Sequence, residues 1–452
     1  MNKKLFLLAA LAVLVIGFFA WRNPFNMNGK LEKVQESEEG EEREKSEKPN
    51  DWFMRQRAYP EQTVNIAAYR QAVTQAQELY AQYSATDEVV WSQAGPSNIG
   101  GRITAIGVHP TNPSVIYIGA ADGGVLKSTD GGVNWTPVFD VTGTLAIGAI
   151  IVDPNAPNTI WVGTGEANTS GDSYPGDGIY RSTNGGTSWQ NLGLPNSFHI
   201  GRIAIDPANS QRIFVAATGA LFTTNPDRGV YRTTNGGVTW ERVLYLTDST
   251  AAIDVVIHPQ NPQIVYAALW ERIRHLTVRN VGGMTSGIWR STNGGDTWTQ
   301  LTSGLPANSP TNGRIGLTIS PANPSLLYAV YCNHPGDMMG VWKTTNGGDT
   351  WTAVTSPGTS TYNGFGWYFG NIYVDPVDVN KVYVLGVPLR RSTNGGSSWS
   401  TIASSVHVDH HAFWINPNNT NQIYDGNDGG FYYSSNGGTS WTKSYNLHIS
   451  QF

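Results

Sequence analysis

One cysteine, Cys332, stands alone in 452 residues, so the chain has no internal disulfide. In an exported protein a lone cysteine is either a small buried apolar residue or a loose thiol, and burial is the expectation here. Charge is also scarce. Only 14% of residues are charged, against about 25% in an average globular domain, and the net charge is −5 with no basic stripe. That excludes nucleic acid as a partner. No cysteine follows the first apolar run, which excludes lipoprotein processing. No small-x-small cleavage site is convincing either, because Phe18 stands where a small residue should precede Ala20. In compensation, the chain holds 51 glycines and 16 tryptophans. High glycine, high aromatic content and low charge suit many short strands joined by tight turns.

Lys3 and Lys4 precede a mostly apolar run, Leu5 to Trp21, close to the minimum that spans a bilayer. Residues 1–25 therefore read as an export signal, and as an uncleaved anchor in preference to a cleaved peptide. The body is expected outside the cytoplasm, in the periplasm or at the cell surface, touching the membrane through this anchor alone. Residues 26–50 form a charged linker. Its stretch 29–50 carries eight acidic and five basic residues and can build no core. Residues 51–86 form an N-terminal helical segment. Ile66, Tyr69, Val73, Ala76, Leu79 or Tyr80, and Tyr83 recur at helical spacing and predict one amphipathic helix packed on the C-terminal body.

From residue 87 onward the chain repeats. An octapeptide appears seven times, as STDGGVNW (128–135), STNGGTSW (182–189), TTNGGVTW (233–240), STNGGDTW (291–298), TTNGGDTW (344–351), STNGGSSW (392–399) and SSNGGTSW (434–441). The tryptophans lie 54, 51, 58, 53, 48 and 42 residues apart. A second element such as VHPTNPSVIYIG (108–119) precedes each copy. Such a period, with several strands in each unit, predicts an all-β fold, a seven-bladed β-propeller over residues 87–452. In the first blade, RITAIGVHP is the innermost strand, VIYIGAA the second, GVLKST the third and WTPVF the outer one. The octapeptide is then the turn between third and fourth strands. Its Asp or Asn can bond the backbone two residues on, its Gly-Gly supplies positive φ, its Ser or Thr can satisfy loop amides, and its Trp buries a ring. Seven copies make it a structural fastener rather than a site.

This octapeptide is the Asp-box, or BNR, motif. Together with GGRITAIGVHPTNPSVIYIG and GGVLKSTDGGVNW, it resembles the sortilin-like and xyloglucanase-like propellers, and also the propellers of photosystem II assembly factors. The stretches DWFMRQRAYPEQTVNIAAYRQA, GPSNIGGRI and HVDHHAFWINPNNTNQIYDGNDGG are similar to a bacterial group of secreted proteins often labelled glycosyl hydrolases. In that group further blades would follow LHISQF, so these blades are either a closed ring or the first blades of a larger propeller. In the closed case VVWSQAG (89–95) can pair at the seam. Fold alone does not give activity.

Asp-box turns share one face, so ligands should meet the other, where loops between second and third strands and between blades differ most. Expected contacts are 163–178, 268–287, 356–371 and 406–411. Candidate carboxylates for acid–base work are Asp122, Glu166, Asp409 and Asp428. Asp122 and Asp428 occupy equivalent loops of the first and last blades and would share a crevice if those blades are neighbours. Candidate ligand-binding residues are His407, His410, His411, Arg272, Tyr362, Trp367 and Tyr368, the aromatic ones either as sugar platforms or as cover for the channel mouth. If 406–414 is a strand, His407, Asp409 and His411 share one side and can hold a divalent metal, although no cofactor is required. Arg102, Arg202 and Arg314 recur near inner-strand starts, which argues for structure first. Sialidase chemistry is disfavoured because a Phe-Arg-Ile-Pro motif is absent. The leading expectation is a module that binds a glycan or an extracytoplasmic protein. The alternatives are a glycoside hydrolase acting on a polysaccharide, and an assembly or stability factor for a membrane complex.

Overall fold

The computed structural model describes residues 52–61, 64–83, 100–140, 142–168, 173–275 and 278–449. The expected export segment, the charged linker and the seam stretch 89–95 lie outside the described residues. Among the described residues no helix is long and apolar enough to cross a membrane.

Seven four-stranded antiparallel sheets follow one another along the chain, each with its strands in sequential order. The first comprises Ile103–Val108, Ile116–Ala120, Val125–Ser128 and Thr136–Pro137. The last comprises His410–Ile415, Ile423–Asn427, Gly430–Ser434 and Thr442–Lys443. Among the described residues the fourth blade alone interposes a small hairpin, Ile273–His275 with Val278–Asn280, between its second and third strands. The second strands are largely apolar and buried, as Ile116–Ala120 and Ile160–Thr164 show, because both of their faces are covered by neighbouring sheets.

The core is divided among the blade interfaces. One apolar cluster lies between each pair of successive blades, and the seventh joins the last blade to the first. In that seam cluster Ile103, Ile116 and Leu126 meet Ala412, Tyr424, Phe431, Leu447 and Ile449. The Tyr424 hydroxyl donates to Pro113 O at 2.8 Å, and Trp135 Nε1 donates to Ser444 Oγ at 2.9 Å. The seven blades thus close on themselves as a ring, the first of the two arrangements that the repeat allows.

The octapeptide is the fastener the repeat predicts, with one change of detail. Its hydroxyl, not its amide, bonds the backbone two residues on. Ser291 Oγ accepts from Asn293 N at 3.3 Å and from Gly295 N at 2.8 Å, and donates to Asn293 Oδ1 at 2.9 Å. Asn293 Oδ1 reaches four residues on, to Thr297 N at 3.0 Å. The two glycines, Gly294 and Gly295, sit at φ 72° and 95°, where a Cβ is disfavoured. The tryptophans are mostly half-buried and point to the preceding blade. Trp189 Nε1 donates to Val138 O and Trp240 Nε1 to Leu192 O. A basic residue just before the motif staples forward. Lys127, Arg181, Arg232, Arg290 and Arg391 each donate to a glycine carbonyl in the next blade's turn. Ser291→Ala should leave the Gly295 amide buried without its acceptor and cost about 1–3 kcal/mol, read as a lowered urea midpoint at unchanged m-value.

The helical segment contains two helices, Trp52–Ala58 (α1) and Ile66–Tyr83 (α2). Only the start of α2 packs as expected. Tyr69 and Val73 are half-buried and the Arg70 guanidinium lies 4.8 Å from the Phe198 ring centre, but Leu79 is 52% exposed. Val64, Ala68 and Tyr69 line one wall of a largely apolar cleft of about 550 Å³, with Phe198, Leu221 and Phe222 opposite. Cys332 is buried as expected. Burial raises its thiol to about 12, and its sulfur accepts from the Arg314 amide at 3.1 Å.

Candidate functional site

Gly131 N donates to Ser114 O and Gly185 N to Asn158 O, so each Asp-box turn lies beside the turn joining first and second strands. The loops between second and third strands are therefore at the opposite end of the blades. There the ring opens around an axial cavity of about 260 Å³, lined by inner-strand residues that include Thr104, Arg202, Arg314, Tyr373 and Trp414.

The three inner-strand arginines each reach out of their own blade. Arg102 grips both carboxylate oxygens of Glu166 in the second blade, at 3.0 Å each. Arg202 meets Asp254 of the fourth blade at 3.1 Å. Arg314 of the fifth blade crosses the axis to Asn168 Oδ1 at 2.7 Å. Glu166 is 1% exposed and clamped by Arg102, so it fixes that guanidinium and is poorly placed for proton transfer.

Across the seam from this pair lies the end of the last blade. His411 Nε2 is 2.8 Å from Asp428 Oδ1, and His411 is buried. The nearby charges of His411, Arg102 and His407 outweigh burial and hold the Asp428 carboxyl below the usual carboxylate range. Asp428 lies in the short turn between Asn427 and Gly430. Asp122 lies in the equivalent turn of the first blade, between Ala120 and Val125. Gly100, two residues before Arg102, packs directly on Gly429 and Gly430 at the seam, and the Asp122 turn meets Ile449 through Gly123. Burial raises the Asp122 carboxyl, opposed by Arg102 and Arg57. Arg102 therefore acts on both carboxylates. Asp409 is raised too, by burial and by the charge of Asp428.

Other candidate residues fall elsewhere. The last blade's inner strand begins only at His410, and Asp409 sits at φ 67°, so the alternation expected over 407–411 does not hold. Aspartate is among the few side chains that tolerate this backbone region. His407 is exposed, His410 is buried against both oxygens of Asp425 at 2.8 and 2.9 Å, and His411 faces Asp428. His407, Asp409 and His411 make no metal cradle, and no group of three or more His, Cys, Asp or Glu suited to a metal exists among the described residues. His410 is thus a structural residue. Tyr362 and Trp367 are 0% and 3% exposed and present no ring face to a sugar. Tyr362 stacks on Phe369 instead. Two residues of the aromatic loop reach the site, Tyr368 and Phe369, and the Phe369 ring stacks on His411 at 5.3 Å. The Tyr368 ring stands edge-on to His411 at 4.9 Å, and its hydroxyl lies 3.4 Å from Glu166 Oε1. Arg272 is buried too deeply to touch a polysaccharide chain.

Sequence reasoning missed Asp425, and a signal for it existed. Its blade-one counterpart is Ile118, and Val162, Val215, Ala267, Ala329 and Val384 hold the same place after the aromatic residue of the other second strands. A carboxylate in an otherwise apolar column implies a buried partner, here His410. His199 was missed as well. It is 2% exposed, its Nδ1 lies 2.9 Å from Gly219 O, and burial with neighbouring Arg272 and Arg228 lowers it to about 3. The unfolded chain would bind a proton there below about 6.5 that the native state does not, so stability falls as pH drops from 6.5 towards 3. The slope approaches about 1.4 kcal/mol per pH unit for this group. Urea denaturation between pH 7 and 4.5 should show that dependence weakened in His199→Gln.

The Sortilin-Vps10 family model, described as "Sortilin, neurotensin receptor 3", matches residues 177–305. A xyloglucanase from a Paenibacillus species is 25% identical over 70% of the chain, and one from Hypocrea jecorina is 26% identical over 69%. The crystal structure of the GH74 xyloglucanase from Xanthomonas campestris aligns over 78% of the chain and 55% of that protein, at 19% identity and a TM-score of 0.57. The chain is a β-propeller that resembles the sortilin and xyloglucanase propellers. It spans only 33% and 40% of the length of the two curated xyloglucanases. The solved structure supports the shared fold, and the sequence relatives are glycoside hydrolases of the xyloglucanase kind.

Proposed function

We propose that this propeller is an exported glycoside hydrolase whose site straddles the seam between first and last blades. The observation that carries this reading is the pair Asp122 and Asp428. They occupy equivalent turns on neighbouring blades, and their surroundings push their protonation in opposite directions around Arg102. Such a split assigns roles to two carboxylates. Asp428, held ionised, is the base or nucleophile. Asp122, whose carboxyl is raised by burial, is the acid that protonates the leaving oxygen. Asp409 belongs to the same side as Asp428, whose N–H donates to the Asp409 backbone oxygen at 3.3 Å and whose charge raises the Asp409 carboxyl. Tyr368 and Arg102 border the place where a sugar would sit.

The xyloglucanase relatives support a polysaccharide as the substrate class. The apolar run at the N-terminus supports export and tethering. The test is reducing-end release from a panel of plant, algal and bacterial polysaccharides. Release that is lost in Asp428→Asn supports the reading. A well-folded protein that binds one of these glycans without cleaving it would instead make the loop face a glycan-binding module.

A further inference from the structure

Five guanidiniums converge beside the aromatic loop and the fourth blade's extra hairpin. Arg228, Arg272, Arg274, Arg279 and Arg314 are all buried. Arg228 is fully employed by carbonyl oxygens. Its Nη atoms donate to Ser249 O, Arg272 O, Ala220 O and Thr223 O at 2.8–3.1 Å. Arg272 is the opposite case. It is 1% exposed, and its Nε, Nη1 and Nη2 are all buried with no hydrogen-bond partner among the described residues. Its guanidinium lies 5.2 Å from the Trp270 ring centroid. The groups that act on it electrostatically are Arg228, Arg274 and Arg314, all of its own sign.

A guanidinium stays charged in proteins, and a desolvated, unpaired charge among like charges is strongly unfavourable. Side chains with that arrangement are found where an anion completes them. The planar fork fits a carboxylate through two parallel N–H bonds. Two cavities border its neighbours: Arg314, which acts on Arg272, lines the axial cavity, and His199, on which Arg272 acts, lines the apolar cleft.

We propose that the Arg272 guanidinium is a binding site for an oxyanion, in first place the carboxylate of an acidic ligand such as a uronate. This site is separate from Asp122 and Asp428 and does not depend on hydrolysis. Bound anion pairs the Arg272 guanidinium, relieves its desolvated charge and allows His199 to protonate more readily. The charge of the cluster makes neutral sugars poor ligands for it.

The experiment is thermal unfolding of the full chain in sodium acetate, galacturonate, sulfate or phosphate, each against sodium chloride at equal ionic strength. Wild type should show saturable stabilisation of about 2 °C or more by at least one oxyanion. Carboxylates acting alone would identify an acidic organic ligand, whereas equal action by sulfate and phosphate would identify a general oxyanion site. Arg272→Met should lose the response, and in chloride should melt at or above wild type, because the unpaired charge is gone. Asp122→Asn and Asp428→Asn should keep the response, which separates this site from the hydrolytic one. Should Arg272→Met fail to fold, the His199 ring is the second readout in wild type, its titration moving up from about 3 when the anion binds. An unchanged response in the variant, or no oxyanion exceeding chloride together with an unmoved His199, overturns the proposal.

Discussion

Asp428→Asn should reduce polysaccharide cleavage by about 10²–10⁴-fold while leaving the folded protein intact. Asn keeps the shape of the side chain and removes the charge that His411 holds at 2.8 Å. Asp428 is 28% exposed at its side chain, so the substitution opens no sealed cavity. Asp122→Asn should cost a similar factor on a polysaccharide, whose leaving group needs a proton. It should cost far less on an aryl glycoside with a good leaving group. That contrast distinguishes an acid from a nucleophile. Equal activity of Asp428→Asn and wild type would remove Asp428 from the chemistry.

The pH profile follows with its sign fixed by the two shifts. Activity needs Asp428 ionised and Asp122 protonated. Asp428 is lowered from 3.8, so the rising limb lies in strong acid. Asp122 is raised from 3.8, so the falling limb lies above the ordinary carboxylate range. The optimum is acidic and the rate falls towards neutrality. Removing the imidazole that lowers Asp428, as in His411→Asn, should move the rising limb to higher pH and narrow the bell. A profile that stays flat to alkaline pH would exclude Asp122 as the acid. These limbs belong to interacting groups, since the charge of Asp428 also raises Asp409.

The ring was legible because each blade repeats the same local demands. The third strand must turn through Gly-Gly, and the hydroxyl before it must satisfy that turn, so seven copies of one octapeptide specify seven hairpins. The equivalent positions of Asp122 and Asp428 on neighbouring blades follow from the repeat plus closure. What the sequence hides is contact across the axis. Arg314 and Asn168 are 146 residues apart, and no spacing rule relates them. Exposure is hidden too. Tyr362, Trp367 and Tyr368 look alike in one aromatic run, yet of these three only Tyr368 meets His411, while Tyr362 and Trp367 are buried in the clusters flanking the fifth blade. The strand alternation read over 407–411 failed at one residue, Asp409, whose left-handed φ resets the pattern.

Gly316→Ala should strongly destabilise the fold, by a mechanism that links the ring to its site. The inner strands approach one another through bare backbone. A Cβ on Gly316 would lie 1.8 Å from Gly370 O, one on Gly148 2.1 Å from Ile200 O, and one on Gly201 2.3 Å from Ile253 O. Gly316 does not occupy the positive-φ region, so its requirement for glycine is one of space. Gly131 poses the complementary case. It sits at φ 78°, and a Cβ there would meet nothing within 4 Å, so Gly131→Ala tests conformation alone and should cost only about 1 kcal/mol. At Gly316 the obstructing atom is a backbone carbonyl, which cannot rotate away as a side chain can. Relief requires the fifth and sixth blades to part. In a closed ring that displacement must be taken up at the other interfaces, each already filled by its own apolar cluster. The cost should reach or exceed the upper end of overpacking penalties, about 3 kcal/mol, against a total stability on the order of 5–15 kcal/mol. Gly370 also packs on the Arg314 side chain, so any protein that does fold should have a displaced Arg314 and a weakened link to Asn168. Soluble yield and the urea midpoint measure the first effect. A Gly316→Ala protein within about 1 kcal/mol of wild type would mean the ring is elastic enough to absorb a methyl at its axis.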